Sequence, residues 1–340
     1  MYSIEKATKI FHEMYGINNP MENAEFVRRF SRNFRSESDL AIEDRILDAT
    51  KNKSSGDDRI FKNLFSDMLD SEGIEYVRNY ELGEYTFDFK LKDSNTVIQT
   101  CNTNTHNNVF SFDEYGRGIN SNLHEKECKA AIKEGLKCIH VFDWDDPVSI
   151  LNNIKSENKE YSDISVEKIS ESMFRQFLSL YDMNKDNKKC NFYYGIFSNN
   201  DLISVGAFRH TRRNKYDWEL TKYCEDSNVW HEDRISKLID KMISDNKGKT
   251  VSTYLELSKY NVGCIDALEK CHFSYRNKIY PDRIWSKGIE HVSQSFIGNR
   301  SYSQLFHIKE KSDSSTYTQF IENGWLPVYG CGKWVYVYEK

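Results

Sequence analysis

The stretch YELGEYTFDFKLKDSNTVIQTCNTNTH, Tyr80–His106, decides how the rest of the chain is read. Tyr85, Phe87, Phe89 and Leu91 alternate with Thr86, Asp88 and Lys90, a period of two that predicts a half-buried strand with Asp88 opposite the phenylalanines. Lys92–Asn95 is polar turn material and Thr96–Thr100 reads as the returning strand, so the two form a hairpin. A carboxylate thus sits on one strand, and His106 follows shortly after the other.

Downstream, NLHEKECKAAIKEGLKCIHVFDWDD spans Asn122–Asp146. From Asn122 to Glu134 a helix is expected, with His124, Cys128, Ala131 and Ile132 on one stripe and Gly135 as its stop. Leu136–Phe142, broken only by Lys137 and His140, has the composition of a strand buried on both faces. The order strand, strand, helix, strand places Asp88, His106, His124 and His140 at or beside one sheet. A carboxylate with nearby imidazoles suits metal-dependent phosphodiester cleavage. A hard divalent ion takes one or two carboxylates and fills its sphere with water and phosphate oxygens, leaving histidines to move protons.

These residues resemble the very-short-patch-repair-like branch of the restriction-endonuclease-like nucleases, above all its phage homing-endonuclease members. The resemblance is carried by Phe87-Asp88-Phe89, Ile98-Gln99-Thr100-Cys101-Asn102, Thr105-His106, Leu123-His124, Gly135 and Cys138-Ile139-His140-Val141-Phe142. It implies Mg²⁺ or Mn²⁺ bound by Asp88, assisted by the Thr100 carbonyl and by a helix-borne acid matched to Asp58. It also implies catalytic work for His106, His124 and His140. Thr86, Gln99, Thr105 and Glu127 depart from the pattern, where relatives carry Glu, Glu, Trp and Lys. Each departure removes a charge, an aromatic wall or a phosphate contact, so a scaffold that binds DNA without cutting it is the alternative.

Blander readings stand beside these. A strand aspartate is commonly a surface residue, and a histidine on an apolar face, His140 above all, is commonly hydrogen-bonded within a core. A zinc reading of Cys101, His106, His124, Cys128 and Cys138 has suitable ligand types but lacks the paired spacing of zinc motifs.

The 340 residues allow two or three domains, and 39% hydrophobic with 14% aromatic content fits a globular protein. No long apolar run is present, so neither a membrane helix nor a secretory signal is expected. Eight cysteines without a framework suggest reduced thiols and a cytoplasmic setting, the host cytoplasm if the chain is phage-encoded. A net charge of −5 argues against a protein that coats nucleic acid, but local basic patches remain.

Residues 1–56 read as two helices and a linker. Met14-Tyr15-Gly16-Ile17-Asn18-Asn19-Pro20 resembles the small module preceding nuclease domains in phage homing enzymes, and Arg28, Arg32 and Arg35 form a stripe that could face DNA. Residues 57–155 are the nuclease domain. Residues 160–340 alternate strands and helices: a helix over 166–180, a hairpin at 192–208, further α/β elements and a closing hairpin over 325–338. This part resembles the acetyltransferase-like domain found behind the same nuclease, through Tyr194-Gly195-Ile196, Trp218-Glu219-Leu220, Ser236-Lys237-Leu238 and Tyr329-Gly330-Cys331-Gly332-Lys333-Trp334. Acyl transfer is the less favoured alternative, since the segment leading into the helix at Glu232 carries two acids and no glycine to receive a pyrophosphate. Arg209, Arg212, Arg213 and Lys215 could instead grip DNA phosphates.

The expected protein is thus α/β and multidomain, with a restriction-endonuclease-like core followed by an acetyltransferase-like mixed-sheet domain. The resemblance implies a homing-type, Mg²⁺- or Mn²⁺-dependent endonuclease acting on double-stranded DNA, alone or as a homodimer.

Overall fold

The computed structural model describes residues 58–103, 106–107, 123–156, 159, 161–184, 189–211, 215–287, 290–294, 320 and 323–339, with side chains from Phe61 onward. Arg28, Arg32, Arg35, Arg212, Arg213 and the Asp58 side chain lie outside them. No helix among the described residues is long and apolar enough to cross a membrane.

Helix α1 (Asp58–Ser71) turns Phe61, Phe65, Met68 and Leu69 inward, and Phe65 meets Phe89 with ring centroids 5.8 Å apart. Strands β1 (Tyr76–Leu82) and β2 (Tyr85–Leu91) form an antiparallel hairpin closed through Gly83, whose φ of 62° suits glycine. Strand β3 (Thr96–Cys101) pairs antiparallel with β2, helix α2 (Leu123–Lys133) crosses over, and β4 (Lys137–Phe142) returns parallel to β3. At Gly135, with φ 70°, α2 stops, and the Leu136 amide donates back to the Ala131 carbonyl at 2.9 Å. The sheet order is β1-β2-β3-β4, and every residue of β3 and β4 is buried.

After α3 (Pro147–Lys155) comes a seven-stranded mixed sheet. Its elements are β5 (Ile164–Lys168), α4 (Glu171–Tyr181), β6 (Phe192–Ser198), β7 (Asp201–His210), β8 (Trp218–Glu225), α5 (Glu232–Asn246), β9 (Thr250–Glu256), α6 (Cys264–Lys270) and β10 (Phe273–Ile279). A small antiparallel sheet holds β11 (Arg283–Lys287), β12 (Glu290–Ser293) and β13 (Leu326–Tyr329), and β14 (Lys333–Glu339) runs between β10 and β9. The described residues therefore form a mixed α/β structure with three sheets.

Two sequence expectations change. Val166 belongs to a strand, because Ile164 and Val166 pair with Ser198 and Ile196; the helix begins only after Ser170, whose hydroxyl caps the Met173 amide at 3.1 Å. The closing segment is not a hairpin, since β13 pairs with β11 while β14 pairs with β9 and β10. Gly332 makes the switch between sheets at φ 79°, where a Cβ would lie 2.6 Å from the Ile279 carbonyl oxygen.

The sequence boundary near 155–160 does not separate two cores. Phe87, Val97, Cys128, Ala131, Leu136 and Cys138 share one buried cluster with Leu257 and Cys331. Strands β8 and β9 pair in parallel only over Trp218–Leu220 and Val251–Thr253. Beyond that point the chain after β9 runs beside β4: the His140 amide donates to the Ser258 carbonyl at 2.9 Å. Buried Asn261 accepts from the Cys138 amide at 3.0 Å and donates to its carbonyl at 2.7 Å.

Candidate active site

Strands β2 and β3 keep ladder register only at Phe89–Ile98 and Lys90–Val97. At the next position side chains replace the ladder. The Asp88 amide donates to Gln99 Oε1 at 3.3 Å, and Asp88 Oδ2 accepts from the Thr100 amide at 2.8 Å and the Thr100 hydroxyl at 2.5 Å. Lys62, one helical turn after Asp58 on α1, brings its ammonium to 2.6 Å from Asp88 Oδ1 and donates to Asn79 Oδ1 at 2.6 Å. Asn79, opposite Asp88, has a left-handed backbone with φ 52° that interrupts the β1–β2 ladder there. Asp88 is consequently buried, anchored and charge-paired.

The imidazoles gather beyond the end of β3. His106 lies in the turn after Cys101, its amide donating to the Asn102 carbonyl at 2.8 Å. Asp143 holds that turn by accepting from the Thr103 amide at 2.8 Å. His124, in the first turn of α2, has Nδ1 2.6 Å from the Tyr329 carbonyl. A carbonyl can only accept, so Nδ1 carries the proton and Nε2 offers a lone pair. That Nε2 is 3.0 Å from His106 Nδ1, and the two rings stack at 5.3 Å. On β4, His140 lies in register with Gln99, its Nε2 3.0 Å from Glu127 Oε2 and its Nδ1 3.2 Å from Cys331 Sγ.

Burial decides the charges. His124 is pushed down to about 3, first by desolvation and then by the neighbouring His140 and His106; His140 falls to about 4 for the same leading reason. Desolvation raises the Glu127 carboxyl, opposed by His124 and His106 and reinforced by the charge of Asp88. Glu127 thus feels both halves of the site.

Of the sequence candidates, His106, His124 and His140 come together, while Asp88 and Thr100 form the adjoining anchored pair. The Asp88 oxygens meet Lys62 and Thr100 rather than an imidazole. This arrangement does not fit Mg²⁺ or Mn²⁺ as it stands. Among the residues with described side chains, Asp88 is charge-paired, burial favours Glu127 as neutral and buried Asp143 accepts from the Thr103 amide, where a hard cation needs accessible anionic oxygens. Arg209 is committed to Glu219 through a bidentate pair with contacts of 2.8–3.1 Å, whereas Lys215 is exposed. Lys62 was legible only as the i+4 neighbour of Asp58. Tyr329 and Cys331 stood out in the sequence only within the closing motif of the acetyltransferase-like resemblance, and no local pattern ties them to these histidines from the far end of the chain.

No protein-family model matches the sequence, and no curated protein matches it. Among solved structures, a Bacillus subtilis acetyltransferase in complex with CoA is similar at 12% identity and a TM-score of 0.31, covering 52% of this chain and 97% of that one. An N-acetyltransferase from Staphylococcus aureus Mu50 is similar at 11% identity and a TM-score of 0.29, covering 52% and 98%.

Proposed function

We propose that this chain hydrolyses phosphodiester bonds in double-stranded DNA, as an endonuclease of homing type. The observation that carries the reading is that buried Glu127 feels the charges of Asp88, His106 and His124 together, which relates the Asp88–Lys62–Thr100 cluster to the His106–His124 pair that follows β3 through Cys101. The order α1-β1-β2-β3-α2-β4, with β4 parallel to β3, supports it as the scaffold the resemblance implies.

Each group has a role in this reading. Asp88 and Asn79 orient Lys62, taking two of the three donors of its ammonium; the third meets the charge developing on the phosphate. His106 donates from Nδ1 to the His124 Nε2 lone pair, which leaves His106 Nε2 as the base that activates the attacking water with His124 assisting, and half-buried His106 is the member that solvent reaches.

Acyl transfer is disfavoured by the start of α5. The His231 amide there donates to Glu225 Oε1 at 2.7 Å, so an internal carboxylate occupies the place an acyl carrier's pyrophosphate would need.

The test is cleavage of duplex DNA by the full chain across a panel of divalent ions, with Lys62→Ala, Asp88→Ala and His106→Ala alongside. Each variant is expected to lose roughly 100-fold or more in rate. Equal background from wild type and Asp88→Ala, with DNA still retained in a mobility shift, leaves the non-cutting DNA-binding scaffold in its place.

A further inference from the structure

One residue beyond Thr100 on β3 begins a set of donors of a different chemical character. Among the described residues, Cys101, His106 and His124 offer donor atoms that all lie within 4.8 Å of one another. Cys101 and His124 are buried and His106 is half-buried. One thiol and two imidazoles are the ligand types of a borderline or soft ion, not of Mg²⁺.

We infer that Cys101, His106 and His124 form a binding site for a zinc-class divalent transition ion. Tetrahedral nitrogen ligands about 2.05 Å from zinc stand about 3.3 Å apart, so the 3.0 Å between His106 Nδ1 and His124 Nε2 needs to open by only a few tenths of an ångström. His124 is already oriented as a ligand. Its Nδ1–H donates to the Tyr329 carbonyl, the outer hydrogen bond that fixes ligating histidines, and its Nε2 points into the trio. Tyr329 belongs to β13, so the three-stranded sheet positions a ligand on α2. Three protein donors leave one tetrahedral position for water, as in catalytic rather than closed structural zinc sites.

A rival thiol group lies nearby, with Cys138 Sγ 3.6 Å and Cys331 Sγ 3.2 Å from His140 Nδ1. Both thiols, like Cys128 beside them, are fully enclosed in the shared core.

Such an ion would also supply what the proposed hydrolysis needs to activate its water; only that consequence rests on the nuclease reading. Held as ligands, His106 and His124 would give up the role of base, and the ion would supply that chemistry by lowering the pKa of a water at the remaining position.

The experiment is Co²⁺ titration of the full chain, stripped with chelator under reducing conditions and followed by absorption spectroscopy. One Co²⁺ per chain is expected, with intense tetrahedral visible bands and a near-ultraviolet thiolate charge-transfer band. Cys101→Ser should remove the charge-transfer band while its circular dichroism stays that of wild type. His124→Gln should weaken binding by roughly 10-fold or more. Cys190→Ser, a half-buried thiol elsewhere, should change neither. Absence of the bands in wild type overturns the inference, as do bands that persist in Cys101→Ser and vanish in Cys331→Ser. Cobalt bands without DNA cleavage sink the nuclease reading and keep the site; cleavage by a protein that binds no cobalt does the reverse.

Discussion

The first turn of α5 and the first turn of α2 each surround buried titratable groups, and they resolve the cost of burial in opposite ways. At α5 the charges are paired. Arg234, 1% exposed, donates to Glu225 at 2.6 Å and to the Lys159 carbonyl at 2.6 Å, with Asp226 at 3.4 Å; His231 Nδ1 lies 2.6 Å from Glu225. At α2 desolvation favours the neutral forms of His124, His140 and Glu127. A cluster of mutually satisfied charges is closed to ligands, whereas neutral imidazoles keep lone pairs that a proton or a cation can claim. The first arrangement holds the fold together, and the second keeps the lone pairs that the proposed chemistry needs.

The most forceful way to break the contrast is Glu225→Ala. It leaves the buried Arg234 guanidinium with the longer Asp226 contact at 3.4 Å and the Lys159 carbonyl in place of its 2.6 Å partner, and removal of one partner of a buried pair costs about 3–5 kcal/mol. Urea unfolding should show that loss. His124→Gln, which strands no charge, should fall well short of it. Equal losses would mean that the α2 cluster is as structural as the α5 cluster.

Acid sharpens the comparison at smaller amplitude. The folded values of about 3 and 4 for His124 and His140 lie below the ordinary 6.5, so the unfolded chain binds more protons between those limits. The stability present above pH 6.5 is therefore lost as pH falls through 6.5 toward 4 and 3. Each histidine that stays neutral while its unfolded counterpart is charged contributes a slope of about 1.4 kcal/mol per pH unit. Chelator-treated protein should lose stability between pH 6.5 and 4, and His140→Gln should flatten part of that slope. An unchanged profile in that variant would remove His140 from the account.

How much of this was legible in the sequence depended on range. The period-two run through Phe87, Asp88 and Phe89, the stripe of His124, Cys128 and Ala131, and the apolar run ending at Phe142 each contain their own signal, and they became β2, α2 and β4. The three histidines met because β3 and β4 run parallel: His106 follows the end of β3, His124 opens α2 and His140 lies two residues before the end of β4. What the sequence could not display were partners from distant segments: Tyr329 on His124, Cys331 on His140, and Asn261 clamping Cys138. The same limit explains the supposed final hairpin. Trp325–Tyr338 has the local pattern of two strands and a turn, but pairing partners are chosen by the sheets already present.

Arg209 tests the distinction between paired and available groups on the surface, where the expected effect is smallest. The sequence offered its guanidinium to DNA, yet the fold gives it to Glu219, with 38% of the Arg209 side chain and 4% of the Glu219 side chain exposed. Exposure on the Arg209 side screens the pair, but Glu219 is left buried without its partner, so Arg209→Ala should cost about 1–3 kcal/mol in thermal or urea unfolding, below the loss in Glu225→Ala. Its guanidinium donors are engaged within the sheet, so DNA affinity in a salt titration should keep its slope. Lys215→Ala, which removes an exposed ammonium, should lower that slope by about 1 if this loop lies on the duplex. A slope that drops for Arg209→Ala instead would show that DNA draws the guanidinium away from Glu219, making a paired group behave as an available one.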